Sequence, residues 1–422
     1  MSSKSALAEV KEMGKKMVPA PIRRVFWRAK DFILDHTEFT EKLLDVWKEA
    51  LFQAEFVRNS SLRSFLLRTI RFSGELVLVL RDFPMTKAHA LEGQAGRVMF
   101  VGREVDEFTH LFFSDESVTR EEPISVWSWQ LPKKTNEWLA GGADMVVHGV
   151  SRFFPWRGKA AFQATTPKWI SQYFPIPANC DEPPAGPKTR TLRKIYRDHA
   201  GFIDFRYSEQ VSDFELFYHR MYRPYVSNRH GSFVYVEPYE YLHKWFKKGG
   251  VILVSYKGEL VSAMLVVNNG KWVYAAEAGV MDGNPDLHAA GFPRVSVWST
   301  AQWGNSQGCR QFQMGGTYSF RSNGVFQYKT FWNAKAADFY GFVRNEWRFY
   351  LEQPGGELLA YLNAWGVIHE FKHQFYAVWF DTGQGDAQQR VREELKAAEK
   401  DGLSGIICIR PGRNEYIQSN ET

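Results

Sequence analysis

A lysine among aromatic rings and a glutamate among small apolar residues are the two side chains of this sequence best placed to do chemistry. Lys329 lies in the segment VFQYKTFW, residues 325–332. Read as an alternating strand, the segment puts Phe326, Tyr328 and Thr330 on one side and Val325, Gln327, Lys329 and Phe331 on the other. Lys329 there either packs its stem along the rings with its ammonium in solvent or aims a cation at a phosphate or oxyanion. Glu277 interrupts the small apolar run YAAEAGV, so it is either ion-paired or has a pKa raised enough to serve as a base. The loop that follows, GVMDGNPDLHAAG, has Gly279, Gly283 and Gly291, which permit close backbone approach. Tyr222, Arg229 and His230 come just after a helical pattern, where substrate contacts concentrate.

Other reactive types read more simply. His148 stands alone in the apolar run ADMVVHGV, a satisfied core histidine against a catalytic alternative. Cys180, Cys309 and Cys408 are odd in number and have no CxxC spacing or neighbouring histidine pair, so neither a disulfide nor a structural zinc is expected. Cys309 has no base beside it.

The elements that must position these groups alternate between strand and helix signals, which predicts an α/β fold with mixed sheets. Ser64–Ile70 and Glu75–Leu80 read as strands or buried segments, Ser125–Trp129 precedes a Lys-rich turn and a helix around Asn136–Leu139, and strands are expected at Arg97–Val101, Ala143–Val150, Phe202–Tyr207, Val251–Tyr256, Leu260–Asn268 and Lys271–Ala278. Lys257-Gly258 between two apolar strands reads as a hairpin turn. Helices are expected at Thr191–Ala200, Val211–Tyr225, Pro238–Lys248 and from Pro293 to Gly308, and further on at Glu357–Phe371 and Asp386–Lys400. Pro183, Pro184, Gly186 and Pro187 punctuate residues 178–190, where the domain boundary is placed.

Residues 311–332 are similar to the closing element of the FemAB-like branch of the GNAT acyltransferases. In that branch a helix with an Ala before a closing Gly leads to a strand F-x-x-G-x-S/T, then D/N-G-V and Y/F-K-x-x-W/F. Here Ala301, Gly308, Phe312, Gly315, Thr317, Asn323, Gly324, Val325, Tyr328, Lys329 and Trp332 take those places, and Phe217, Tyr218, Met221, Tyr222, Pro224, Arg229 and Gly231 match an earlier motif. Two departures are Asn323, where many members have Asp, and Asn333, where Gly is usual. The resemblance covers about residues 190–340 and implies tandem GNAT-like domains with the N-terminal one degenerate: a basic helical arm or cap at 1–60, the degenerate domain at 61–182, the acyltransferase domain at 190–380 and a helix-strand extension at 381–422. It implies acyl or aminoacyl transfer from a thioester or aminoacyl-tRNA to an amine or hydroxyl of a cell-envelope, glycan or peptide acceptor. The expected catalytic residues are Lys329, Glu277 and Tyr328. Tyr222, Arg229, His230, Tyr318, Arg321, Asn323 and Trp332 are expected at the substrate and Gly279, Gly283 and Gly291 at the donor. The loop lacks the compact Q/R-x-x-G-x-G/A of coenzyme A-binding members, so acyl-CoA and aminoacyl-tRNA both stand as donors, and no metal is required.

The chain has 422 residues, 44% of them hydrophobic and 16% aromatic, enough for a full core in two or three domains. Its apolar runs fall short of a membrane span or signal peptide, which predicts a cytoplasmic protein. Residues 1–30 carry eight Lys/Arg against two Glu, a surplus of +6 that equals the net charge of the whole chain. Contact with tRNA or an anionic inner-membrane surface is therefore expected through this arm, with a self-packed helical cap as the bland reading. The rival functions are a GNAT-shaped binding protein without catalysis and a peripheral membrane factor.

Overall fold

The computed structural model describes residues 85–93, 96–113, 118–183, 189–230, 236–338, 345–381 and 387–418, with isolated positions between 46 and 70. The arm at 1–30 and the expected strand Glu75–Leu80 lie outside the described residues. Of the two readings of Ser64–Ile70, strand or buried segment, the described positions are helical with Leu67 buried: Leu66, Leu67 and Ile70 recur at helical spacing, and Thr69 Oγ1 donates to the carbonyl of Phe65 four residues back at 3.0 Å.

The chain forms two compact units, residues 1–163 with 341–354, and residues 164–340 with 355–422. Each is mixed α/β, as the alternation of signals predicts. The first unit contains β1 (Met85–Gly93), β2 (Gly96–Val101), β3 (Thr119–Arg120), β4 (Ile124–Trp127) and β5 (Met145–Ser151). It is completed by β14 (Asn345–Leu351), which pairs antiparallel with β5, while β2 runs parallel to β5 on the other side. A strand flanked on both sides is apolar throughout. β5 is accordingly buried at every position, His148 included. His148 Nε2 lies 3.0 Å from Thr135 Oγ1, its ring lies 4.7 Å from that of Tyr350, and burial pushes the imidazole down to about 3, so it is a neutral core residue.

β6 (Phe162–Pro167) carries the chain into the second unit. There β7 (Trp169–Pro175), β8 (Ile203–Ser208), β9 (Gly250–Tyr256), β10 (Glu259–Asn268), β11 (Trp272–Val280), β12 (Gln311–Tyr318) and β13 (Lys335–Ala337) form a sheet in the order β13-β7-β12-β11-β10-β9-β8. The β9–β10 hairpin turns at Lys257 and Gly258, both with positive φ (53° and 83°), the conformation that a two-residue turn of matching twist requires. Along β9 the side chains alternate: Ile252 and Val254 join Trp298 and Phe312 in one core, and Val251 and Leu253 join Phe214, Phe217 and Tyr222 in another. The helix Phe292–Ser306 thus covers one face of the sheet and the helical run from Val211 covers the other.

Three boundaries differ from expectation. The units divide at Gln163/Ala164 instead of at 178–190, because β7 pairs with β12 and so belongs to the second sheet. The expected helix Glu357–Phe371 stops at Trp365, capped by Gly366 at φ 74°, and Ile368–Phe371 is β15. β15 joins β16 (Gln374–Phe380), β17 (Gly405–Arg410) and β18 (Arg413–Gln418) in a separate four-stranded sheet. The third difference concerns residues 325–332: Gly324–Thr330 is an α-helix. Among the described residues no helix is long and apolar enough to cross a membrane.

Candidate functional site

The parallel strands β11 and β12 pair over only three residues, Trp272–Tyr274 against Gln311–Gln313. Beyond them both strands are irregular. The β10–β11 register shifts beside Glu277 and the β12–β7 register shifts between Gln313 and Gly316. Bulges bend and twist the strands that hold them. Ala275–Ala278 are consequently part-exposed although β11 lies in the interior of the sheet. The pairing of β11 with β12 has lapsed by Glu277.

Lys329 reaches this place from the helix Gly324–Thr330. Asn323 starts that helix: its Oδ1 accepts from the backbone N–H groups of Val325 (3.0 Å) and Phe326 (3.1 Å) and from Thr317 Oγ1 (3.1 Å). Helical spacing then turns Phe326, Lys329 and Thr330 inward together. Lys329 is 5% exposed, and Nζ donates to the carbonyls of Gly315 (2.9 Å) and Gly316 (2.7 Å), within the irregular stretch of β12. Gly315 has φ 73°, so its carbonyl is free of regular strand geometry. The ammonium therefore secures the bend that parts the strands.

Burial dominates the titration of both groups. It pushes the Glu277 carboxyl up to about 8, assisted by the nearby Glu237 carboxylate and opposed by Lys329. It pushes the Lys329 ammonium down to about 7, opposed by Glu277. Since the folded-state pKa of Glu277 is raised, its contribution to stability is complete below about 4.5 and is lost as the pH rises through about 8. Against Glu277→Gln, the parent should thus lose stability over that window in denaturant titrations. Parallel stability curves for the two proteins would refute the shift.

Glu237 is a site residue that the sequence does not disclose. An acid directly before a proline at the start of a helix looks like a surface residue. Its backbone N–H donates to Tyr222 Oη at 2.9 Å and its carbonyl accepts from Tyr218 Oη at 3.1 Å. Both tyrosines come from the π-helical turn Phe217–Tyr222, a widened turn of the type that recurs at functional sites. Tyr222 is buried, and desolvation together with Glu277 raises its hydroxyl pKa.

The remaining expected residues are mostly placed elsewhere. Arg321 is held by Asp401 (2.9 Å) and Glu394 (3.0 Å) and ties its loop to the helix Ala387–Lys400. Trp332 is core, stacked on Phe174 at 5.6 Å, and Tyr328 packs half-buried against the same cluster. Tyr318 stacks on Trp169 at 4.1 Å. Arg229 and His230 end the helix Arg223–His230, and their side chains lie outside the described residues. Gly279 and Gly283, expected at the donor, lie close against backbone of the chain itself. A Cβ on Gly279 would meet Met221 C and Tyr222 N at 2.5 Å, and one on Gly283 would meet the Pro224 carbonyl at 2.8 Å. The backbone these glycines admit is the chain's own. Gly291, at φ 93°, turns the chain into the helix Phe292–Ser306.

No protein-family model and no curated protein matches the chain. Among solved structures it is similar to the C-terminal DUF2156 domain ascribed to a lysylphosphatidylglycerol synthetase of Agrobacterium fabrum, at 14% identity over 69% of this chain and 90% of that one, with a TM-score of 0.30. A structure of L-PGS from Bacillus licheniformis gives 14% identity, 69% and 91% coverage and a TM-score of 0.30. A tandem GNAT protein from the clavulanic acid biosynthesis pathway gives 8% identity, 67% and 88% coverage and a TM-score of 0.25.

Proposed function

We propose that the second unit is a GNAT-type acyltransferase of FemAB-like character, with the first unit as its degenerate partner. The observation that supports this reading is the parting of β11 and β12 after three residue pairs, with Glu277 on β11 beyond the last pair and Lys329 held on the irregular stretch of β12. An acyl donor would lie in the gap, its carbonyl near Glu277. The amine or hydroxyl of the acceptor attacks that carbonyl, forming the new C–N or C–O bond. The C–S or C–O bond to the leaving group breaks, and the proton lost by the nucleophile returns to the leaving group. Glu277 suits the relay, since a carboxyl titrating near neutrality can both take and give a proton. Lys329 adds a fixed positive charge beside the site in its protonated form.

The donor is a thioester or an aminoacyl-tRNA and the acceptor a cell-envelope or glycan precursor, following the sequence resemblance. The test is a transfer assay on the full chain with isotopically labelled acyl-CoA in one arm and labelled aminoacyl-tRNA in the other, each with amine and hydroxyl acceptors. Label should move from one donor class to the acceptor, or to water in its absence. No loss of label from either donor would refute the acyltransferase reading and favour a binding protein.

A further inference from the structure

Elsewhere in the second unit, three side chains that ligate metals converge where the edge strand β13 meets the four-stranded sheet. Asp338 follows β13, Glu370 lies on β15, and His373 is in the two-residue turn that joins β15 to β16. His373 Nδ1 is 3.6 Å from Asp338 Oδ2 and 3.7 Å from Glu370 Oε1, and the three donor atoms all lie within 4.8 Å of one another. The carboxylates are largely withdrawn from water, at 10% exposure for Glu370 and 18% for Asp338, whereas His373 is 78% exposed.

Two carboxylates and a neutral imidazole are oxygen and nitrogen donors of the kind that a divalent transition-metal ion takes together. Zinc binds such nitrogen and oxygen donors at about 2.1 Å, which at tetrahedral angles puts neighbouring donor atoms about 3.4 Å apart. The observed 3.6 and 3.7 Å are within a small side-chain adjustment of that spacing. We propose that Asp338, Glu370 and His373 form a binding site for a divalent transition-metal ion, with Zn²⁺ as its representative and a water in the exposed fourth position. A bound ion would fasten β13 to the β15–β16 hairpin. In the sequence Asp338 stands far from Glu370 and His373, so no metal-ligand spacing marks the set.

The turn supplies a clean test. Lys372 and His373 both have positive φ (50° and 63°), which glycine adopts more readily, so His373→Gly removes a ligand while relaxing the backbone. Zn²⁺ is titrated by calorimetry into the chelator-treated full chain, alongside His373→Gly, Asp338→Asn and Glu370→Gln. We expect one Zn²⁺ per parent chain, binding weakened roughly tenfold or more in each variant, and a melting temperature raised by Zn²⁺ in the parent but not in His373→Gly. His373→Gly should be as stable as the parent without metal, so its loss of binding could not be attributed to unfolding. No binding by the parent, or equal binding by His373→Gly, overturns the proposal.

Discussion

Arg348→Met is expected to destabilise the first unit by about 3–5 kcal/mol, the cost of stripping one partner from a buried ion pair. The Arg348 side chain is 2% exposed and its Nε donates to Glu346, itself nearly enclosed at 12%. The rest of the guanidinium faces backbone: Nη1 donates to the carbonyl of Phe154 at 2.9 Å and Nη2 to that of Arg152 at 3.0 Å. One side chain thus fixes the turn after β5 and neutralises an acid that burial already pushes toward its protonated form. Methionine keeps much of the volume and loses every one of these bonds. In urea titrations the double variant Glu346→Gln/Arg348→Met should recover part of the loss, since no unpaired carboxylate then remains. A cost below about 1 kcal/mol for Arg348→Met would mean that the pair is solvated in solution.

What the sequence made legible was local pattern. The β9–β10 hairpin follows from Lys257-Gly258 between apolar runs, and the helix from Phe292 follows from a proline near its first turn. The anomaly of Glu277 is visible because a carboxylate in YAAEAGV has no obvious place. Residues 325–332 read as a strand because a segment this short carries both periods. Alternating aromatics suggest a strand, but Asn323 satisfies two free N–H groups at once, and this capping favours the helix. That change reverses the role of Lys329, from a residue on one face of a strand to a buried one reaching the Gly315 and Gly316 carbonyls. The glycines show another limit. A sequence can say that backbone must come close to Gly279, but not whether that backbone is a ligand or the turn at Met221–Tyr222, 57 residues earlier. The domain boundary was hidden for the same reason, since proline-rich punctuation is local and the pairing of β7 with β12 is not.

Glu277→Gln should reduce transfer about a hundredfold or more while leaving donor affinity and fold nearly intact, because glutamine keeps the shape of the side chain and cannot relay a proton. Lys329→Met tests a different contribution. It removes the ammonium from the Gly315 and Gly316 carbonyls on the irregular stretch of β12, so it should lower stability and weaken donor binding together, with the turnover of bound donor falling less than in Glu277→Gln. Single-turnover rates separate the two, since they report chemistry apart from binding. The pH profile gives a further check. With the carboxyl raised to about 8 and the ammonium lowered to about 7, the parent's rate should change through that interval, and the limb belonging to the carboxyl should vanish in Glu277→Gln. If Glu277→Gln turns over bound donor at the parent's rate with the parent's pH profile, Glu277 is no proton carrier, and Lys329 is left as a structural clasp on β12.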